Sequence, residues 1–395
     1  MRAPTILAVA SAVDLRFRYG CTPIWWQLWK ALALLGADVL VTPYRGRPVE
    51  SPWWRVADNP CHREGELFQL ARGAAGALRS GGRPESDPPE TATDRAVRHV
   101  VKRVVTPRWQ RHLERLLARE RVDAVVVFTV PMSHLEGIPT ALRERFGVPV
   151  VFYDCDVPLS LPEFGGAEES FNMYRGADPG EYDLVISNSE GGGARLLELG
   201  ARRHEPLFFA ADPELFRPLP LEKRTDVFFY GYGERFRREW LTALVAEPSR
   251  RLPGVRFALG GGRFTGDRGR ASLLGHLPIP GFVRAISGAR INLNVTRSSH
   301  AGLFASSTAR PFELAAAGAA IVSNPCAGIE RWFEPGEELL VVSNAEEAVQ
   351  TYERLLAEPP LAEELGRRAR ARVLAEHTFE HRARRLLELL DLPAW

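Results

Sequence analysis

The fold of this chain is indicated by the stretch SSTARPFELAAAGAAIVS, residues 306–323. Pro311 suits the first position of a helix, because its fixed φ is helical and its missing N–H would have no partner there. A helix of small residues and Gly318 follow, and the apolar run Ala320–Ser323 then predicts a buried strand. A loop, a helix and a strand in this order are typical of a parallel α/β sheet.

The start of this helix carries residue types that suit a nucleotide. Free N–H groups and the helix dipole favour an anion at a helix N-terminus, and Arg310 there has a planar fork of donors that suits phosphate oxygens. Glu313, one turn into the helix, can accept hydrogen bonds from two vicinal hydroxyls. The two side chains together predict binding of a diphosphate and a ribose. The alternative, that Glu313 caps its own helix, would need Ser or Thr where Arg310 stands.

On both sides of this stretch, short apolar runs alternate with amphipathic helical stretches, which is the pattern of parallel sheets covered by helices. The strands of the first half are predicted at residues 6–10, 39–42, 124–128, 148–153 and 184–187. Those of the second half are predicted at residues 226–230, 255–259, 291–295, 320–323 and 339–342.

The sequence Pro218-Leu219-Pro220 separates the two series and reads as a linker. We therefore expect an α/β protein of two Rossmann-like, doubly wound domains, residues 1–218 and 219–395, that face each other across a cleft. The last helix, 379–395, could return to the first domain. Ligands of such sheets bind at the carboxyl ends of the strands.

The bulk composition is that of an ordinary globular protein, with 45% hydrophobic and 25% charged residues among 395. A formal net charge of +2 gives no indication of a nucleic-acid partner. Four cysteines, at positions 21, 61, 155 and 326, are far apart and form no metal-ligand pattern, so a reducing cytoplasm fits better than a disulfide framework. No stretch approaches the roughly 18 apolar residues of a transmembrane helix, and residues 1–13 read as a first strand rather than as a signal peptide.

Residues 306–323 resemble the donor-binding helix of GT-B glycosyltransferases, most closely that of the CgeB-like (spore maturation protein-like) branch. The pattern of that branch is Arg-x-Phe-Glu before a small-residue helix and Gly. Three other passages resemble the same family in the same order: DVFFYGYG at 226–233, GARINLNV at 288–295 and ADPELFRP at 211–218. The resemblance covers residues 185–375 well and the first 180 only in general layout.

The resemblance implies a bacterial GT-B enzyme related to family 4, the glycosyl transferases of group 1. Such an enzyme moves a sugar from a nucleotide diphosphate, by default a UDP-sugar, to an acceptor that the sequence does not identify. Neither a metal ion nor another cofactor is expected. Two rivals stay open: a nucleotide-sugar epimerase or hydrolase of the same fold, and a binding protein without turnover.

The same resemblance extends the predicted donor site. The turn after strand 226–230 would supply a basic residue to the diphosphate, with Arg238 in the best-matching place, although a solvated first helical turn is the alternative. The residues expected around the nucleotide are Arg310, Glu313, Arg238, Arg235, Gly231, Gly233, Ser307 and Thr308, with His276 and Leu277 near the nucleobase. One departure stands out: family 4 enzymes carry a first Glu eight residues before the second, and Ala305 occupies that place.

Two aspartates at the end of a predicted strand are the candidates for acid–base catalysis. Asp154 and Asp156 follow the run 148–153, and strand alternation predicts that both point to the same side. Asp156 matches an Asp-x-Pro turn of the resembling family and is the preferred general base for an acceptor hydroxyl. Helix capping or turn formation is one alternative, and a GT-A-like Asp-x-Asp metal site is another.

The loop after the first predicted strand, residues 14–20, faces the acceptor in the resembling enzymes. Arg16, Arg18 and Tyr19 are therefore candidate acceptor residues, with a solvated loop as the alternative. The sequence does not predict an oligomeric state.

Overall fold

The computed structural model describes residues 2–13, 24–65, 98–164, 173–233 and 235–394. The described residues divide into two compact units: the first comprises residues 2–13, 28–65, 98–164, 173–207 and 383–394, and the second comprises residues 24–27, 208–233 and 235–382. The sequence placed its domain boundary after Pro218, which here lies within the second unit.

The first unit is built on a parallel sheet. Among the described residues it has seven strands in the spatial order β3-β2-β1-β4-β5-β6-β7. These strands are β1 (Thr5–Ala12), β2 (Asp38–Arg45), β3 (Arg55–Val56), β4 (Ala124–Phe128), β5 (Val150–Asp154), β6 (Leu184–Ser187) and β7 (His204–Pro206). The central strands are buried along their whole length, as expected for a sheet that is covered on both faces.

The second unit repeats this plan on a smaller scale. Its described strands form a parallel sheet in the order β10-β9-β8-β11-β12-β13. They are β8 (Thr225–Tyr232), β9 (Phe257–Gly262), β10 (Ser272–Gly275), β11 (Ala289–Asn294), β12 (Ala320–Ser323) and β13 (Leu340–Val341). One face of this sheet packs on a core that includes Phe229, Leu259, Leu293 and Tyr352.

Helices connect the strands in both units. In chain order the described α-helices are α1 (Ile24–Leu34), α2 (Thr106–Arg119), α3 (Ile138–Phe146), α4 (Val157–Ser160), α5 (Gly193–Glu198), α6 (Arg235–Leu241), α7 (Glu247–Arg251), α8 (Ile279–Ser287), α9 (Ser298–Ala301), α10 (Ala309–Ala316), α11 (Ala345–Ala357), α12 (Pro359–Glu376) and α13 (Phe379–Leu389). A π-helical turn, Val101–Val105, leads into α2, and a second one, Thr242–Ala246, joins α6 to α7.

The structure confirms the predicted class of fold and most of its strands, because long buried apolar runs have few other options. Three strands escaped prediction, namely β3, β7 and β10, since they are short and carry polar or exposed residues. The donor helix also differs in detail, because α10 begins at Ala309 and not at Pro311. Proline at the third helical position still costs no hydrogen bond, since the N–H groups of the first turn have no intrahelical acceptor.

Candidate functional site

The carboxyl edge of the second sheet is lined by buried polar side chains. Asn294, at the end of β11, donates from Nδ2 to Ser323 Oγ at 2.9 Å. The backbone N–H of Thr296 donates to Asn324 Oδ1 at 2.7 Å, and all four residues are buried. These bonds join the ends of β11 and β12 and fix the loops that follow the two strands. Polar residues at strand ends were the available signal for this network, which the sequence reasoning missed.

Arg310 and Glu313 lie next to each other in the first turns of α10. Arg310 Nη1 donates to Glu313 Oε2 at 2.6 Å. The side chain of Arg310 is 11% exposed and that of Glu313 is fully buried. Because the Glu313 carboxylate is buried beside the Arg310 guanidinium, the two side chains form a buried ion pair and not a surface one. The sequence did not anticipate this pairing, and the predicted role of Arg310 on the diphosphate stays a prediction.

Two aromatic rings complete the surroundings of Arg310. The guanidinium carbon lies 4.3 Å from the ring centroid of Phe282 on α8 and 5.3 Å from that of Tyr230 on β8. The two rings stack on each other with centroids 4.4 Å apart. The stacked pair of rings contacts the guanidinium through cation–π interactions. Neither aromatic residue was singled out from the sequence, because the contact joins elements far apart in the chain.

Tyr230 also ties down the loop that was predicted to read the nucleobase. Its hydroxyl donates to the carbonyl oxygen of Leu277 at 2.8 Å, and the Leu277 N–H donates back to that hydroxyl at 3.3 Å. Burial raises the pKa of Tyr230, so the hydroxyl remains a donor at neutral pH. His276 next to it is exposed, with Nδ1 3.4 Å from the same hydroxyl. Tyr230 thus connects the loop of His276 and Leu277 to Arg310, because it is hydrogen-bonded to Leu277 and its ring contacts the Arg310 guanidinium.

Ser307 and Thr308 precede α10 but differ in what they do. Ser307 is fully buried, and its hydroxyl accepts a hydrogen bond from the Phe209 N–H at 2.9 Å. Thr308 occupies the N-cap position in an extended conformation, and its side chain makes no capping bond. Ser307 therefore holds the loop within its unit, and the N-terminal amides of α10 are not capped by Thr308.

Gly231 and Gly233 are close-packing positions. Gly231 lies inside β8 and not in a turn, opposite Gly261 of β9. Gly261 has φ +108°, and a Cβ added there would lie 1.9 Å from the Gly231 carbonyl oxygen. Gly233 follows the strand, and its added Cβ would lie 2.8 Å from Phe264 Cα. The glycines allow the two chain segments to approach, which is the structural role that only glycine can fill.

The arginines of α6 face different surroundings. Arg237 donates from Nε to the Val295 carbonyl oxygen at 2.7 Å and from Nη1 to the Tyr232 carbonyl oxygen at 3.3 Å. These carbonyls lie at the carboxyl ends of β11 and β8, so the Arg237 guanidinium lies at the edge of the sheet. Arg238 is exposed and lines a small cavity with Phe264. Arg235 begins the helix. The sequence named Arg238 and Arg235 as diphosphate residues, with Arg238 in the best-matching place, and that assignment stays a prediction.

Ala305 stands where family 4 enzymes carry their first glutamate. It is fully buried and has φ +45°. Gly328 packs against its backbone so closely that a Cβ there would lie 2.5 Å from the Ala305 nitrogen. The position is filled by a methyl group in a tight backbone contact, and it offers no carboxylate to a bound sugar.

In the first unit, Asp154 ends β5 and is fully buried. Its Oδ1 accepts from the Asp156 N–H and from Ser160 Oγ, both at 2.9 Å, and its Oδ2 accepts from the Tyr174 hydroxyl at 2.7 Å. Burial raises the pKa of Asp154 to about 6, although these donors oppose the rise. Asp154 therefore holds the turn after the strand through Oδ1 and binds the more distant Tyr174 through Oδ2.

Asp156 occupies the N-cap position of α4, but its side chain makes no capping bond. It is half-buried. Because β5 ends at Asp154 and the next residues bend, strand alternation does not extend to Asp156, and the expectation that both carboxylates share one side loses its basis. Of the two aspartates, Asp156 is the one with solvent access.

Three other predictions concern the acceptor residues, metal binding and membrane-spanning helices. The candidate acceptor residues Arg16, Arg18 and Tyr19 lie outside the described residues. Within the described ranges no group of three or more His, Cys, Asp or Glu side chains could hold a metal ion. In the same part of the chain, no helix has the length and apolar character that crossing a bilayer requires.

Residues 237–388 match the model of a family described as glycosyl transferase-like. No curated protein matches the sequence.

Solved structures are similar over nearly the whole chain. A trehalose-phosphate synthase (UDP-forming) from Burkholderia vietnamiensis is 14% identical, with a TM-score of 0.66 over 99% of this chain and 97% of that one. Sucrose-phosphate synthase from Thermosynechococcus elongatus is 16% identical, with a TM-score of 0.62 over 99% and 98%. Anabaena HepE, solved with UDP-glucose, is 13% identical, with a TM-score of 0.57 over 98% and 99%. The likenesses confirm the GT-B fold, and the family match confirms the expectation of a glycosyltransferase.

Proposed function

We propose that this glycosyltransferase uses a UDP-sugar as donor and that the second unit binds it. The observation that carries the proposal is the Arg310–Glu313 pair, held at 2.6 Å at the start of α10 and bordered by Phe282 and Tyr230. The arrangement offers a carboxylate for ribose hydroxyls, a guanidinium and free helix amides for phosphates, and a fixed loop at Leu277 for a base. HepE was solved with UDP-glucose, which supports the choice of nucleotide.

Nucleotide binding on this proposal is an exchange of partners. Glu313 is buried against Arg310. A ribose would supply replacement hydroxyl donors to Glu313, while the diphosphate would supply an anionic partner to Arg310. Each buried charge then keeps hydrogen-bond partners, which avoids the large cost of leaving it without any. Arg237 at the sheet edge is the further cation that we place near the leaving diphosphate.

The acceptor side of the reaction is proposed for the first unit. Asp156, half-buried at the N-cap of α4, is the proposed general base for an acceptor hydroxyl. Asp154 is a positioning residue, because its carboxylate binds the Asp156 N–H. We propose that the cationic groups of the donor site neutralise the diphosphate and that neither a metal ion nor another cofactor takes part. Membership of the CgeB-like branch, a bacterial origin and a cytoplasmic location belong to the same proposal.

A nucleotide panel tests this function. UDP, dTDP, GDP and ADP sugars are added singly to the full chain, and the melting temperature is measured. Binding to the folded state raises it, by an amount equivalent to about 2.7 kcal/mol at one hundred times Kd. UDP-sugars should give the largest rise, with EDTA making no difference. UDP release without any acceptor would favour the hydrolase, and absence of a shift with every nucleotide would contradict the proposal.

A further inference from the structure

Helix α2 and the turns before it carry an unusual share of the positive charge. Residues 98–119 contain seven Arg or Lys and a single acidic residue, Glu114, a net charge of +6 with His neutral, while the whole chain has a net charge of +2. The inner face of this segment is fixed in the core of the first unit by the buried Trp109, Leu113 and Leu117. The remaining face must therefore present most of this charge to solvent.

Two arginines on that face have no acidic partner among the described residues. Arg111 donates from Nε to the Pro107 carbonyl oxygen, and Arg115 donates from Nε to the Arg111 carbonyl oxygen. Both side chains lie along their own helix and belong to exposed residues. Their terminal guanidinium nitrogens are directed at no carboxylate of the described chain, so the local charge is not neutralised from within.

The same two arginines line an open groove of about 590 Å³. Arg108 and Arg145 also line it, together with Glu114. Arg145 is paired with Glu114 at 2.6 Å, and Arg108 is paired with Glu64. The groove therefore carries the charges of Arg111 and Arg115 in excess, which suits an anionic partner.

Apolar side chains continue the exposed stripe toward the start of the helix. Val100 is 56% exposed and Val104 is 37% exposed, and Pro107 is exposed next. Residues three and four positions apart share a helix face, so these three residues lead directly into Arg111 and Arg115. Lys102 and Arg103 flank the two valines and are also exposed. An anionic polymer would bind the cations but would not remove the exposed valines from water.

We propose that this face, residues Val100, Val104, Pro107, Arg111 and Arg115, docks on the surface of a bilayer that contains anionic phospholipids. Basic side chains next to apolar ones on a surface helix are the pattern of interfacial membrane contact. Each cation near such a surface raises the partition roughly fivefold. The valines enter the boundary between headgroups and acyl chains, and the arginines bind lipid phosphates.

The test is sedimentation of the full chain with vesicles of phosphatidylcholine plus phosphatidylglycerol, and with phosphatidylcholine alone. The chain should bind the first and not the second. Arg111→Glu with Arg115→Glu should lower the partition at least about 20-fold, and Val100→Ser with Val104→Ser should lower it several-fold. Arg367→Glu with Arg368→Glu makes the same charge change on another exposed helix, α12, where both arginines pair with Glu364. This control variant, shown to be folded by circular dichroism, should bind as the unaltered chain does.

Three results would overturn the proposal. Equal binding to phosphatidylcholine alone removes the role of charge. Retained binding by the double glutamate variant, shown to be folded by circular dichroism, removes the role of this face. Unchanged binding by the double serine variant, with heparin competing for the same face, would assign the surface to an anionic polymer instead.

Discussion

Arg310 Nη1 and Glu313 Oε2 lie 2.6 Å apart on α10, and the guanidinium carbon of Arg310 lies 4.3 Å from the ring centroid of Phe282. The pair is almost completely withdrawn from water. Arg310 and Glu313 are therefore one coupled pair and not two side chains that act independently. Any variant of one residue therefore alters the environment of the other.

Replacement of Glu313 by alanine should weaken UDP binding by roughly 1.5–3 kcal/mol, because hydrogen bonds from the ribose to a charged group are lost. Isothermal titration calorimetry measures the change. Glu313→Gln is the matched control, because it keeps the shape of the side chain and loses its charge. Its UDP affinity should lie between that of the unaltered chain and that of Glu313→Ala. Unchanged UDP affinity in a folded Glu313→Ala chain would remove the ribose role.

Arg237 and Arg238 should differ as diphosphate ligands. Arg237 is held at the sheet edge by two backbone carbonyls, whereas Arg238 is exposed. We expect Arg237→Met to weaken UDP at least about tenfold and Arg238→Met to change it less than about threefold. Calorimetry on the two variants compares them directly, with thermal melting as the check of folding. The reverse order would restore Arg238 as the diphosphate residue.

Asp156→Asn should lower turnover by about 10²–10⁴, the usual contribution of a general base. UDP affinity should not change, because the proposed donor residues belong to the second unit. The assay is UDP release in the presence of acceptor, compared with the UDP affinity of the same preparation. Near-normal turnover in the folded variant would move the base to another residue.

The buried carboxyl of Asp154 should make stability depend on pH. Its pKa in the folded chain is about 6, against an ordinary value of 3.8. Because the folded pKa is the higher one, the contribution to stability is complete below about pH 4 and is lost as pH rises through 6. The difference corresponds to roughly 3 kcal/mol.

Urea unfolding at pH 4 and pH 7 measures this effect. Relative to Asp154→Asn, which does not titrate, the unaltered chain should lose up to about 3 kcal/mol of unfolding free energy between the two pH values. Asp123→Asn, at an exposed ion pair with Arg2, is a comparison variant. An equal pH dependence in the unaltered chain and Asp154→Asn would show that Asp154 is not the titrating group.

Gly261→Ala should destabilise the second unit by about 2–5 kcal/mol, from left-handed strain and a clash of the new Cβ with the Gly231 carbonyl. Gly275→Ala is the matched control, since its φ is +69° but no heavy atom lies within 4 Å of the added Cβ. It should cost only about 1 kcal/mol. Equal losses for the two variants, measured by urea unfolding, would mean that the close approach of β8 and β9 contributes nothing.

Much of the architecture was predictable because it depends on local patterns. Buried runs such as Ala124–Phe128 and Leu184–Ser187 were assigned with the bounds that the structure has, since a continuous apolar run bounded by helices has few alternatives. The motif around Glu313 likewise pointed to a nucleotide from its residue types alone. Short edge strands such as β10 have no continuous buried apolar run by which the sequence could identify them.

Only the tertiary structure decided how the candidate residues pair. It joined Tyr230 and Phe282 to Arg310, although they come from three separate elements, and it placed the Arg237 guanidinium against carbonyls at two strand ends. It also gave Asp154 and Asp156, which are two residues apart, different surroundings: the first is fully buried and the second is half-buried. The sequence determines which side chains are available and which elements carry them. Their partners depend on which strand ends the sheet order brings together, and no local pattern contains that information.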